Sequence, residues 1–191
     1  VAAHGRTASE VLRPRVAPEQ PGAEPVVDDP GLTANLDAVM QASPPDTCLT
    51  VLIDGTPVYR HDSTQALAPA STQKLLTALT VAPRLDPEQP YRAVAADEKA
   101  EGNRVVLYRG LTYTAADLLH AALMPSANDA ANALARANGG IRTTVEQMNA
   151  EAARLGASST TAVNPSGLDA PGQVTTARDL ALIGRAAFAN P

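Results

Sequence analysis

Aromatic residues make up only 3% of this 191-residue chain, and tryptophan is absent. Hydrophobic residues still account for 45% of the sequence, and much of that share is alanine. Small side chains allow helices to approach one another closely. The composition therefore favours a core of closely packed helices over a sheet-rich sandwich.

Four other features that the sequence lacks narrow the possible functions. No stretch approaches the eighteen or so consecutive apolar residues that a membrane-spanning helix needs. The net charge is −5 and no basic stripe is present, which argues against nucleic acid as the main partner. The single cysteine, Cys48, cannot form a disulfide within the chain. The three histidines, at positions 4, 61 and 120, are too scattered to predict a metal site.

Lysine is the scarcest charged residue. Only Lys74 and Lys99 occur, against thirteen arginines (15 basic residues minus 2). Arginine does not lose its proton in a protein, whereas a buried lysine can lose its proton and act as a base. Ser71 precedes Lys74 by three residues, so on a helix the two side chains share one face. The spacing fits an activated nucleophile, and it fits equally a serine near a helix start followed by a solvated lysine.

Patterns of proline, turn residues and apolar periodicity divide the chain into a tether and a series of predicted helices and strands. Residues 1–30 are proline-rich with no apolar period and predict an extended tether. The patterns that follow predict a helix over residues 32–42, a hairpin of strands 48–54 and 58–61, a helix over 71–82, and a second strand pair at 91–96 and 104–108.

The second half of the chain predicts a helical subdomain over about residues 110–191. Thr114-x-x-Asp117, Thr143-x-x-Glu146 and Thr176-x-x-Asp179 each have the spacing of a helix N-terminal cap. A further helix is predicted over residues 127–137. Residues 31–191 together are thus predicted to form one domain with a sheet and flanking helices.

A second polar constellation, Ser126-Ala127-Asn128, follows Pro125 at a break between two predicted helices. Both polar side chains would be available to a ligand at such a break. The alternative is that Ser126 or Asn128 simply caps the helix that follows.

Taken together, Ser71-x-x-Lys74 and Ser126-x-Asn128 resemble the motifs of the penicillin-binding proteins and serine β-lactamases. The similarity is greatest to D-alanyl-D-alanine carboxypeptidases of the penicillin-binding-protein-5 type and covers residues 32–189. The supporting stretches are Pro69–Leu79, Tyr113–Ala131, Met148–Gly156, Asn164–Asp169 and Thr175–Leu182.

The resemblance implies an α/β (α+β) transpeptidase-like fold, with an antiparallel sheet, flanking helices and a helical subdomain. It implies that Ser71 is the nucleophile, that Lys74 accepts its proton, that Ser126 relays protons and that Asn128 binds substrate. The implied substrate is a peptidoglycan stem pentapeptide, cleaved outside the cytoplasmic membrane without a cofactor or metal, and β-lactams would acylate the same serine.

The sequence departs from the family pattern in one respect. The family's third motif, Lys-Thr-Gly, does not follow residue 128. We therefore expect the domain to be incomplete at its C-terminus, this chain alone to be inactive, and any membrane anchor to lie outside it. A class-A-like β-lactamase and a non-catalytic module that binds cell-wall peptide are the alternatives. The first lacks support because no glutamate occurs in residues 164–169.

These interpretations predict a definite geometry. The Ser71 hydroxyl and the Lys74 amine are expected within about 2.6–3.2 Å of each other, at the buried start of a helix. Ser126 is expected to approach the same point.

Overall fold

The computed structural model describes residues 29–189. In chain order, and with labels used from here on, its elements are α1 (Pro30–Gln41), β1 (Leu49–Ile53), β2 (Thr56–His61), a 3₁₀ turn (Ala70–Thr72), α2 (Gln73–Val81), β3 (Pro90–Arg92), α3 (Ala95–Glu98), β4 (Thr112–Thr114), α4 (Ala115–Leu123), α5 (Asn128–Ala137), α6 (Ile141–Arg154) and α7 (Ala177–Phe188). The predicted mixture of helices with small antiparallel sheets is confirmed. The proposed tether, residues 1–30, lies outside the described residues except for Asp29 and Pro30, which begin α1.

The first hairpin consists of two short strands on either side of a tight turn. Strands β1 and β2 pair antiparallel, with Val51 opposite Tyr59. Asp54 and Gly55 connect them with φ values of 50° and 83°. Positive φ at both central residues is typical of the two-residue turn that matches strand twist. The prediction of this hairpin is confirmed.

The second strand pair differs from the prediction. Strand β3 pairs with β4, placing Tyr91 opposite Tyr113, and not with residues 104–108. The predicted strand at 104–108 is wrong because its backbone has another partner. The N–H groups of Val105 and Leu107 donate to the carboxylate of Asp129, at 3.3 and 3.0 Å.

Two of the three predicted helix caps are correct. The Thr114 hydroxyl accepts from the Asp117 N–H at 3.0 Å and begins α4, and Thr176 likewise caps α7. Thr143 does not cap α6, because that helix begins at Ile141 after Gly140, whose φ is 109°. A positive φ of this size suits glycine, so the turn residue and not the threonine sets the boundary.

Two hydrophobic clusters form the core, and α2 contributes to both. One contains Val81 together with Leu134 and the buried alanines of α5. The other contains Leu76 and Leu79 with side chains of α6 and α7. Close packing of alanine-rich helices is therefore confirmed, and α2 lies between the clusters. Within residues 29–189, no helix is both long and apolar enough to cross a membrane.

Candidate active site

Ser71 lies in the 3₁₀ turn immediately before α2. The turn begins with Ala70, whose φ of +48° is unusual for a residue with a side chain. Ser71 is exposed, so the predicted buried position is wrong. The reason is local: the packed part of α2 begins only at Gln73, and the preceding turn projects beyond it. The hydroxyl is consequently open to an incoming molecule.

Lys74, one turn later, is almost fully buried at 2% exposure. Its amine lies 3.1 Å from the Ser71 Oγ, which confirms the predicted distance. It also donates to the Asn128 Oδ1 at 2.7 Å and to the Ser166 backbone carbonyl at 2.7 Å. All three partners are uncharged oxygen atoms.

This environment makes the amine easier to deprotonate. Burial lowers the pKa of Lys74 from 10.5 to about 8, because the charged form is poorly solvated there. A neutral amine has two N–H donors and one lone pair. The carbonyl oxygens of Asn128 and Ser166 accept those two donors, which leaves the lone pair for the Ser71 hydroxyl. The site therefore satisfies every polar group of a neutral Lys74.

Ser126 and Asn128 lie at the break between α4 and α5. Neither caps α5: its N-cap is Ala127, which makes no side-chain hydrogen bond. Asn128 points its Oδ1 at the Lys74 amine and donates its Nδ2 to the Glu101 carbonyl at 2.9 Å. The structure thus contradicts the alternative of simple capping.

Ser126 has a φ of +60°, and its Oγ is buried without a hydrogen-bond partner among the described residues. An unpaired buried hydroxyl is costly and calls for an explanation. Ser126 is two residues from Asn128, whose side chain contacts the Lys74 amine. Its approach to Ser71 stays a prediction.

The contribution of the 164–168 backbone to the site was not predicted. The loop of residues 164–168 supplies the Ser166 carbonyl, and the Pro165 carbonyl anchors this loop to α2 by accepting the Thr77 hydroxyl at 2.7 Å. Gly167 has a φ of +82°, and a Cβ there would lie 1.8 Å from the Ala70 carbonyl oxygen. Only glycine fits so close an approach. The Asn-Pro-Ser-Gly run predicts a turn, but it does not predict which part of the chain the turn contacts.

The chain is similar to known D-alanyl-D-alanine carboxypeptidases. Residues 47–190 match the family described as D-alanyl-D-alanine carboxypeptidase, peptidase S11. The carboxypeptidase DacB2 of Mycobacterium tuberculosis is 44% identical over 175 residues, which cover 89% of this chain and 55% of that protein. DacC of Escherichia coli is 32% identical and covers 78% of this chain and 41% of its own length. The chain thus spans about half the length of the curated relatives it matches.

Solved structures show the same relationship. A D-alanyl-D-alanine carboxypeptidase from Mycobacterium tuberculosis superposes with a TM-score of 0.74 at 42% identity, over 91% of this chain and 62% of that one. Penicillin-binding protein 6B of Escherichia coli superposes with a TM-score of 0.68 at 29% identity, over 77% of this chain and 52% of that one. The expected transpeptidase-like fold is confirmed, and the chain belongs to the D-alanyl-D-alanine carboxypeptidase family, peptidase family S11.

Proposed function

We propose that the complete protein containing this chain is a serine D-Ala-D-Ala carboxypeptidase. It removes the terminal D-alanine from peptidoglycan stem peptides through an acyl-enzyme on Ser71. One observation carries the proposal: a buried amine with a pKa of about 8 lies 3.1 Å from an exposed serine hydroxyl. A general base needs both this proximity and a pKa near the working pH.

Acylation follows from the roles of these groups. The Ser71 Oγ attacks the carbonyl carbon of the penultimate D-alanine while its proton passes to the Lys74 Nζ. The backbone N–H of Ser71, in the first turn of the helical segment, stabilises the oxyanion. The C–N bond then breaks, and the leaving D-alanine amine takes a proton from Lys74 through the Ser126 hydroxyl. An ester on Ser71 and a neutral Lys74 remain.

Deacylation reverses the proton path. Water attacks the ester carbonyl and gives its proton to Lys74, which returns a proton to the departing Ser71 oxygen. Asn128 holds the substrate's peptide carbonyl with the second hydrogen of its Nδ2. Because a β-lactam presents a similar acyl group, it acylates the same serine.

Several broader assignments belong to the same proposal. Residues 31–191 form part of the catalytic domain, with the helical subdomain over about 110–191 supplying Ser126 and Asn128. A peptidoglycan substrate places the protein outside the cytoplasmic membrane.

The β-lactamase alternative gains no support from the site. The loop at residues 164–169 presents the Ser166 carbonyl, and no carboxylate, to Lys74. Its one acidic residue, Asp169, is exposed. Glu151 is held by Arg154 at 2.6–2.8 Å, within one turn of α6.

The test uses the complete gene product. We expect a fluorescent penicillin to label it covalently, and a peptide ending in D-Ala-D-Ala to release one D-alanine per molecule cleaved. Ser71→Ala should abolish both reactions, whereas Ser158→Ala, at another exposed serine, should change neither. Persistent labelling of Ser71→Ala would contradict Ser71 as the nucleophile. An unlabelled wild-type protein would contradict the proposal and favour a non-catalytic module.

A further inference from the structure

The carboxylate of Asp129 is fully buried and has no part in the proposed reaction. It follows Asn128 directly in the first turn of α5 and has 0% exposure. Its oxygens accept three backbone N–H groups, from Val105 at 3.3 Å, Leu107 at 3.0 Å and Ala130 at 3.0 Å. Two of these donors belong to residues 101–107, here called the 101–107 loop. Asp129 therefore fastens this loop to the helix that begins with Asn128.

The loop adopts a conformation that needs such an anchor. Val106, between the two donors, has a φ of +63°, where a β-branched residue is a genuine outlier. Strained backbone of this kind persists only where surrounding contacts hold it. The two hydrogen bonds to Asp129 enclose Val106 on both sides and supply those contacts.

The other end of the loop contacts Asn128 itself. The Glu101 carbonyl accepts the Asn128 Nδ2 at 2.9 Å, and the Asn103 carbonyl accepts the Asn128 N–H at 2.7 Å. Asn103 also donates from its side chain to the Pro125 carbonyl, beside Ser126. Because Glu101 takes the nitrogen of the Asn128 amide, the oxygen of that amide faces the Lys74 amine.

Gly102 shows how closely the loop approaches. Its φ is +78°, and a Cβ there would lie 2.5 Å from the Asn128 Nδ2. A glycine at this point lets the loop backbone lie directly against the amide. Residue 102 is otherwise exposed, so core packing does not explain the glycine.

We propose that Asp129 is a positioning residue for the Ser71–Lys74 reaction, acting through the 101–107 loop to fix the orientation of the Asn128 amide. This inference rests on the proposed function. Loss of the anchor frees the Glu101 carbonyl, and the Asn128 oxygen then leaves the Lys74 amine.

Water would take the place of that oxygen. The elements packed around the amine present Asn128 from α5, Ser166 from the 164–168 loop and Ser71 from the 3₁₀ turn, all uncharged. The nearest carboxylate along α5, Asp129, directs its oxygens at the loop. Hydration is thus the change that moves the pKa of Lys74, back towards its ordinary value of 10.5.

The first experiment compares Asp129→Asn with Asp179→Asn in the complete gene product. Asp179 is a matched control, because it is also buried in the first helical turn and accepts a loop N–H, from Ser159 at 2.8 Å. Both variants should lose stability. Only Asp129→Asn should slow acylation of the folded protein by fluorescent penicillin, by about tenfold or more, because small misplacements at a reacting centre are costly. The pH at which the acylation rate of Asp129→Asn reaches half its maximum should also rise.

The second experiment leaves Asp129 intact, and it tests the positioning of the Asn128 amide by the loop even if Asp129→Asn does not fold. Gly102→Ala pushes directly on the Asn128 amide, whereas Gly110→Ala adds a methyl with an ordinary 3.7 Å contact at a φ of +87°. Both carry the same backbone strain. We expect slower acylation and a raised pH midpoint for Gly102→Ala alone.

A third readout does not depend on activity. The Lys74 side chain can be titrated by NMR with ¹³C-labelled lysine, its signal being identified by its absence in Lys74→Met. If the wild type labels with penicillin but Asp129→Asn and Gly102→Ala match their controls in rate and Lys74 titration, the positioning role is refuted and the proposed function stands. If the wild type does not label, the proposed function fails, and the NMR titration alone decides whether the loop controls Lys74.

Discussion

The pH dependence of acylation tests the central feature of the site, the lowered pKa of Lys74. With a pKa of about 8, about 9% of the amine is neutral at pH 7 and about 91% at pH 9. If the neutral amine is the base, the second-order rate constant for acylation should rise about tenfold over this range and then level off. An amine with the ordinary pKa of 10.5 would instead give a rise of about a hundredfold without levelling.

The measurement is stopped-flow labelling with a fluorescent penicillin between pH 6 and pH 9.5. Ser71→Ala reports the background reaction of the reagent at each pH. Lys74→Arg is the informative perturbation, since a guanidinium group keeps its proton throughout this range. The variant should lose the pH-dependent rate. A flat wild-type profile, or the same profile in Lys74→Arg, would refute the assignment of Lys74 as the proton acceptor.

The remaining predictions concern stability, measured by urea unfolding of the complete gene product. Because burial lowers the folded-state pKa of Lys74, its charged form costs stability, and this cost is greatest below pH 8 and declines as the pH rises towards 10.5. Relative to Lys74→Met, the wild-type unfolding free energy should thus gain about 2 kcal/mol from pH 7 to pH 9.5, and no gain would mean an exposed amine. Gly167→Ala should cost more than about 2 kcal/mol through the clash with Ala70 and also slow acylation, and a neutral effect would show that the two segments separate freely. Thr114→Ala should cost about 1 kcal/mol through the lost cap, whereas Thr143→Ala should be nearly neutral; equal costs would restore the predicted cap at residue 143.

Local patterns predicted most of the fold because the elements obey local rules. The first helix, the first hairpin and the helices carrying the two motifs lie within a few residues of their predicted bounds. The capping box at Thr114 is read directly from its spacing, and the structure has it as predicted. These features depend on interactions between residues close in sequence.

The two wrong predictions of secondary structure share a different cause. Residues 104–108 contain adjacent valines, which favour a strand, but their N–H groups bind a buried carboxylate 22 and 24 residues away. Thr143 has the spacing of a cap, but α6 already begins after Gly140. Its neighbour Thr144 is buried and donates to the Ala135 carbonyl at 3.0 Å. In each case a tertiary contact or a glycine overrides local propensity.

The candidate site likewise contains groups that the sequence predicts and groups that only the folded structure reveals. Its side chains are visible in the sequence as two motifs, and the contact between Lys74 and Asn128 agrees with their association. The carbonyls of Glu101 and Ser166 are invisible there, because every residue carries the same backbone oxygen. No sequence signal distinguishes a carbonyl that binds Lys74 from any other.

This division bears on how the nucleophile is activated. The i, i+3 spacing of Ser71 and Lys74 brings the two groups together, but on an isolated helix the lysine would be solvated and would keep its ordinary pKa of 10.5. Its other two partners are 54 and 92 residues away along the chain. The spacing therefore supplies proximity, while the folded chain supplies burial and thus the lowered pKa. Because α2 packs into both hydrophobic clusters, the core fixes the position of Lys74 relative to those distant oxygens.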